Sequence, residues 1–395
     1  MATPLSILNL LDSGWRTILS ISGISIAVIL IFMQLGFLGA VLDTAVLFYN
    51  NLKFDLVVCS PDYYHFCDAD KISKEYLTRI ENVAGVNKVQ PYHVSLGKWN
   101  YASESVQRGM LIMGVALEGQ TFTQTDPNVD YPDFAKLANN RSILVDQKSR
   151  PTFLGAKNKD GFGEKDLGLR IELNQNEVEV TGLFKIGTGL AANGAAIINE
   201  RGFAELFPNH SQTDATIGLV QLSSQDSADP TAARAAIVKA LGFDRGTSAV
   251  DILTREEVIS REIRHWIGNT PIGFIFIAGV VVAMMVGAIV VYIVLSSDIT
   301  KQIGEYATLK AMGYRNSYLS RVVLEQAIIL GVISYVVAFF SSLVLYRVIG
   351  NAANLPITMT ISRQIIVFVA TLVMCCLSGA IAMQKLRKAD PADLF

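Results

Sequence analysis

Few residues in this chain of 395 have both the type and the spacing to do chemistry. The four histidines, His65, His93, His210 and His265, are scattered, and no H-x-x-x-H or C-x-x-C pair offers metal ligands on one helical face or one turn. Each reads as a structural or surface residue. A phosphate cradle of the form G-x-x-x-x-G-K-[ST] is missing; GFGEK at Gly161 lacks the spacing and the following hydroxyl. Histidines so dispersed also give no footing for a serine, histidine and acid set. Cys59 and Cys67 are separated by seven residues that include Pro61, and an oxidising compartment would allow a disulfide between them. The bridge is the expectation and buried thiols the alternative, because spacing does not fix geometry. Cys375 and Cys376 sit in an apolar run and read as packing residues. The chain is therefore read as a non-enzyme without metal or cofactor.

The polar stretch with a legible pattern is Asp298 to Arg321, DITKQIGEYATLKAMGYRNSYLSR, 24 residues wedged between two long apolar runs. As a helix from Ile299 onward it sets Lys301, Glu305, Thr308 and Met312 in one stripe, since residues three and four apart share a face. Ile303, Tyr306 and Ala307 fall on another side, suited to protein or lipid headgroups. Both ends are tethered to membrane-length segments, so a force on this stretch moves them, and it reads as a lever. The plainer alternative is an amphipathic surface loop.

The elements that would position it are membrane helices. With 51% hydrophobic and 17% charged residues and a mean hydropathy of +0.38, the chain is more apolar than a soluble protein of its size needs to be. Its apolar residues cluster in four runs near or above the ~20 needed to cross a bilayer. The first, between Arg16 and Asp43, holds 26 uncharged residues and is too long for a signal peptide's apolar region, so a retained helix is expected. The others are 254–297, a stalk followed by a span that Pro271 kinks or breaks, then 322–346 and 364–384. Glu325, one turn from Arg321, reads as an ion-pair partner rather than a proton relay. Lys301, Lys310, Arg315 and Arg321 in the lever and Lys385, Arg387 and Lys388 in the tail outnumber the two arginines of the 347–363 loop. That bias sets the lever (298–321), the N-terminus and the tail (385–395) in the cytoplasm, with residues 1–48 comprising the N-terminal segment and the first span, and the large domain outside. A net charge of -2 says nothing for or against nucleic acid, but no basic block with interleaved aromatics is present, so no nucleic-acid partner is expected.

Residues 49–253 have the composition of a water-soluble domain. FDLVVCS, NKVQPYHVSLGKW, QRGMLIMGVAL, LRIELNQNEVEVTGLF, GAAIIN and TIGLVQL read as strands. Helices are expected over Ser73–Val83, Arg201–Phe207 and Pro230–Leu241, the last with Asp229 as N-cap. The fold class is thus an α-helical membrane protein with four transmembrane helices and a large external α+β domain between helices 1 and 2. About 127–207 reads as an inserted subdomain, with GAKNKDGFGEKDLG as an exposed loop. Thr254 and Glu257 form a capping box that starts the stalk.

This layout, with one span, a large domain, then three spans around a charged loop, resembles the MacB/FtsX-type ABC transporter permeases. The loop is similar to that family's "basic-x-x-Glu-(Ile)-x-x-Leu-(basic)-Ala-x-Gly" signature at Lys301, Glu305, Leu309, Lys310, Ala311 and Gly313, with Tyr306 where isoleucine is commoner. IENVAGVNKVQPY and LRKADPADLF look like recurring family segments as well, and the resemblance covers essentially the whole chain. Without a fused nucleotide-binding domain, the chain looks like the DevC branch of stand-alone permeases. The resemblance implies a homodimer in a bacterial, cyanobacterial-type inner membrane, a separate DevA-like ATPase dimer, a DevB-like membrane-fusion adaptor and a TolC-type outer-membrane channel. It also implies mechanotransmission, in which closure of the ATPases drives efflux of a periplasmic or membrane-derived substrate, glycolipid-like or small and hydrophobic. On that reading Lys301, Glu305, Thr308, Leu309, Lys310, Met312 and Gly313 couple to the ATPase. Two alternatives stay open: FtsX-like signalling to a cell-wall hydrolase, and lipoprotein extraction of LolC/LolE type.

Overall fold

Nine of the described strands join in one mixed sheet, in the order β11-β1-β10-β3-β4-β8-β5-β7-β6. They are β1 (Leu56–Cys59), β3 (Val86–Asn100), β4 (Arg108–Val115), β5 (Ser142–Asp146), β6 (Arg170–Leu173), β7 (Asn176–Phe184), β8 (Ala195–Asn199), β10 (Ile217–Leu222) and β11 (Asp251–Thr254). A short ladder, β2 (Ile72–Ser73) with β9 (Asp214–Ala215), stands apart. The computed structural model describes residues 14–67, 70–100, 107–118, 121–123, 130–149, 162–188, 192–223, 229–242, 249–314, 316–353 and 356–388. The first half of the GAKNKDGFGEKDLG loop, through Gly161, lies outside them. The chain divides into two units, an α+β unit of Val41–Thr270 and a helical unit of Met1–Ala40 with Pro271–Phe395.

In the α+β unit both faces of the sheet are covered, which is why LVVC, SILVD, AAIIN and IGLVQL are buried at every position rather than at alternate ones. Along β1, Val57 and Cys59 enter one core with Tyr49, Phe66 and Val258, while Leu56 and Val58 enter another with Leu77, Ile80 and Ile237. A third core around Trp99, Phe162 and Phe203 lies under β5 to β8. The strands of 127–207 continue the common sheet: β8 pairs in parallel with β4, Leu111 opposite Ala195. Helices α2 (Leu47–Asn51), α3 (Lys74–Glu81), α4 (Glu200–Leu206), α5 (Pro230–Leu241) and α6 (Arg255–Arg264) flank it. Asp229 caps α5 by accepting from the Ala232 amide at 3.0 Å, with Pro230 at the first helical position, where its missing N–H costs nothing.

The helical unit holds α1 (Gly14–Ala45), α7 (Pro271–Lys301), α8 (Ile303–Ala311), α9 (Asn316–Ala353) and α10 (Ile361–Lys388). Among the described residues four helices are long and apolar enough to cross a membrane: Thr17–Ala45, Pro271–Lys301, Ser320–Asn351 and Ile361–Gln384. Helix α9 starts at Asn316, earlier than the 322 expected, because no glycine or proline interrupts 316–330. Small residues and hydroxyls join the helices. Ser25 donates to the Ser334 carbonyl at 3.1 Å and Ser334 back to Ile21 at 3.3 Å, so α1 and α9 exchange hydrogen bonds. Ser378 of α10 donates to Ala288 of α7 at 2.8 Å. Gly39 lets the Arg363 guanidinium lie where a Cβ would stand, and that guanidinium is 5.9 Å from the centre of the Tyr346 ring.

Candidate coupling segment and stalk

The lever is two pieces rather than the single helix expected. Helix α7 carries on past the apolar run to Lys301, the chain leaves helical form at Gln302, and α8 takes up Ile303–Ala311. Gly304, a poor helix former by ~1 kcal/mol against alanine, falls in the first turn of α8 and weakens continuity there. Lys301 therefore belongs to α7, and the stripe reduces to Glu305 and Thr308, both exposed, with Met312 just past the end of α8 and 64% exposed. Thr308 folds its hydroxyl back onto the Gly304 carbonyl at 2.9 Å. Leu309 faces the other way and packs on the core of the helical unit. The side chain of Lys310 lies outside the described residues.

Gly313 ends the helix. Its φ of 91° is open to glycine and strained for other residues. The turn it makes lets the Tyr314 amide reach the Leu309 carbonyl at 3.1 Å, while the Met312 amide bonds Thr308 at 3.0 Å. This is a Schellman closure, which satisfies carbonyls that a helix end otherwise leaves open. One turn into α9, Arg321 and Glu325 form the ion pair their spacing allows, at 2.9 Å.

The stalk is α6. Thr254 Oγ1 accepts from the Glu257 amide at 3.3 Å and Glu257 Oε2 from the Thr254 amide at 2.9 Å, a complete capping box. Burial opposes the Glu257 charge, but that amide and the Arg234 guanidinium at 2.6 Å outweigh it and hold its pKa below the usual range. Arg255, directly after Thr254, was not singled out by its sequence context, yet it fastens the stalk to the segment that follows the first span. Its guanidinium donates to the carbonyls of Tyr49 at 2.7 Å, Asn50 at 3.3 Å, Leu52 at 3.2 Å and Phe54 at 3.4 Å, capping the end of α2. After Arg264 the backbone widens into a π turn, His265–Asn269, and Thr270 is extended. Pro271 then opens α7.

Cys59 and Cys67 carry thiols in the structure, in place of the expected bridge. Cys59 is committed to the core from β1, and burial pushes its pKa up to about 12, which suppresses the thiolate that exchange requires. The fold also brings together histidines the sequence keeps apart: the rings of His65 and His265 stack at 4.4 Å. His93 meets Glu200 at 3.1 Å. Among the described residues no group of three or more His, Cys, Asp or Glu side chains is gathered to hold a metal.

Four membrane-length helices, a mixed-sheet domain after the first and a capped charged segment between the second and third define an integral membrane protein with a large α+β domain. Residues 17–240 match the MacB-like periplasmic core domain and residues 277–391 the FtsX-like permease C-terminal domain, so the chain belongs to the MacB/FtsX-type family of ABC transporter permeases. It is an inner-membrane protein of that family. Among solved structures it is similar to the extracellular domain of the noncanonic ABC-type transporter YknZ from Gram-positive bacteria, at 15% identity over 51% of this chain and 99% of that one, with a TM-score of 0.34. The periplasmic region of MacB from Actinobacillus actinomycetemcomitans is similar at 11% identity over 56% of this chain and 95% of that one, with a TM-score of 0.36. A search of curated proteins finds no match.

Proposed function

We propose that the chain is the permease subunit of a tripartite export system, transmitting ATP-driven motion of a separate cytoplasmic ATPase dimer to its α+β unit. The observation that carries this reading is the helix Ile303–Ala311 between two membrane-length helices, closed at Gly313 and exposed at Glu305 and Thr308, with Met312 presented at 64% exposure beside the glycine cap. A flexible apolar side chain left in the open is what a groove on a partner takes up. The resemblance to the DevC branch supplies the rest of the proposal: a homodimer, a DevA-like ATPase, a DevB-like adaptor, a TolC-type channel and a glycolipid-like or small hydrophobic substrate. Chain continuity supports transmission, since α8 follows α7 and α7 follows the stalk with two interruptions, at Gln302 and at the turn ending in Thr270.

The test is reconstitution with the ATPase. Met312→Asp puts an unpaired charge into an apolar contact, and Glu305→Arg reverses a charge that would meet a basic group. Both variants are expected to insert normally, to lose co-purification with the ATPase by tenfold or more, and to lose permease-stimulated ATP turnover. Tyr318→Ser, in the first turn of α9, is expected to be mild. Undiminished coupling in both variants would reduce the segment to a connector.

A further inference from the structure

Glu262 lies on the buried stripe of α6, one turn after Val258, with 2% exposure. Its oxygens meet three uncharged donors. The Tyr63 hydroxyl at 3.3 Å and the Phe66 amide at 3.0 Å both come to Oε2, and the Trp266 indole N–H comes to Oε1 at 3.1 Å. The Tyr63 hydroxyl also bonds that of Tyr49, on α2. Arg261, its neighbour in sequence, is turned elsewhere: its guanidinium is 5.7 Å from the centre of the Tyr63 ring and 3.7 Å from Asp251 on β11. The other titratable groups packed around are Cys59 on β1, Cys67 in the turn and Tyr92 on β3. His65 and His265 stack beside Trp266, at 6.0 and 5.5 Å from its ring.

A carboxylate taken from water and given no cation is costly to ionise. Here the site accommodates the neutral form without moving a heavy atom. A proton on Oε2 donates to Tyr63, whose own hydrogen turns towards Tyr49, and Oε1 still accepts from Trp266. The stalk departs from α geometry after Arg264, two residues beyond Glu262, and such π turns occur often at functional positions. We propose that Glu262 is a proton-binding site whose occupancy decides whether the Ser60–Cys67 loop stays packed on the stalk or is released from it. One proton is taken from solvent and one carboxylate is neutralised. The claim is separate from the choice of ATPase or substrate.

The direction follows from linkage. Burial raises Glu262 to about 7 against its three hydrogen bonds, whereas an exposed glutamate titrates near 4.5. The packed state therefore binds the proton more tightly than the released one. Packing is favoured at low pH and is lost as pH rises through about 7.

The experiment uses the full chain in lipid nanodiscs, followed from about pH 5.5 to about pH 8.5. The readouts are Trp266 emission, taken as the difference from Trp266→Phe, and deuterium exchange of the peptide containing Phe66. A sigmoidal change centred near pH 7 is expected. Exchange, corrected for its intrinsic pH dependence, should rise several-fold on the alkaline side. Glu262→Gln should remove both transitions and stay packed throughout. Tyr63→Phe, which removes a hydrogen-bond partner that only the packed state gives to Glu262, should move the midpoint of release downward. His65→Asn and His265→Asn should keep it. A flat wild-type profile, a transition that survives in Glu262→Gln, an upward or absent shift in Tyr63→Phe, or a midpoint that disappears with either histidine would each overturn the assignment.

Discussion

Glu200 and His210 show how single side chains set the acid limit of the α+β unit. Hydrogen bonding from His93 and the contact with Lys74 outweigh burial and hold Glu200 down at about 2. Burial, with Lys71 and His93 nearby, lowers His210 to about 4, and its Nδ1 has no partner to receive a proton's charge. Both folded-state values lie below the unfolded ones, so both contributions are present at high pH and lost on acidification. The melting temperature of the full chain is expected to fall as pH drops from ~6.5 towards about 4 through His210, and again from ~4.5 towards about 2 through Glu200. At ~1.4 kcal/mol per unit, the Glu200 contribution is at most ~3.5 kcal/mol, less whatever solvent screens from a side chain 28% exposed. His210→Asn should erase the upper limb and leave the lower. A limb unchanged in that variant would assign it to another group. Nothing in the sequence announced these partners: Glu200 and His93 are 107 residues apart and meet only because β4 lies between β3 and β8. Glu262 left one local trace, a charge four residues after Val258 on what becomes the buried stripe.

Elements were legible where their signals are local. Asp229 followed by Pro230 marks the start of α5, and Thr254 with Glu257 marks that of α6, because caps are chemistry between residues three apart. Non-local features escaped. The β6–β7 hairpin turns through Asn174 and Gln175, both at positive φ, without the glycine that advertises such a turn. In the lever, the pattern of charges gave the stripe but not the interruption at Gln302. The two glycines of this segment make a controlled comparison, since a Cβ on either meets nothing within 4 Å. They differ in backbone alone: Gly313 has φ of 91°, and Gly304 lies within α8. Gly304→Ala is expected to preserve ATPase co-purification and to stabilise α8 by ~0.5–1 kcal/mol. Gly313→Ala should cost ~1–2 kcal/mol in the closing turn and displace Met312, weakening co-purification. Equal behaviour of the two would mean the cap does not set the position of Met312.

For the whole molecule, the arrangement of spans and α+β domain could be read from hydropathy and composition alone, because four long apolar runs have few other uses. Sidedness rests on the count of lysines and arginines in short loops and can be tested directly. A single cysteine placed in 155–168 is expected to react with an impermeant maleimide in intact spheroplasts, and Ser317→Cys only after permeabilisation; the reverse pattern would invert the topology. The sheet order could not be read in this way. Strand β1 lies between β10 and β11, its two partners in the sheet, whose first residues are Ile217 and Asp251. That arrangement has a cost in time. About 160 residues must be made after Cys59 before β10 is available, and at ~5–20 residues per second this takes ~8–30 s. Throughout that interval Leu-Val-Val-Cys is an apolar strand with two open edges, emerging beside a membrane and beside other growing copies. Biogenesis of this subunit, rather than its finished stability, is where a holding chaperone has the most to protect.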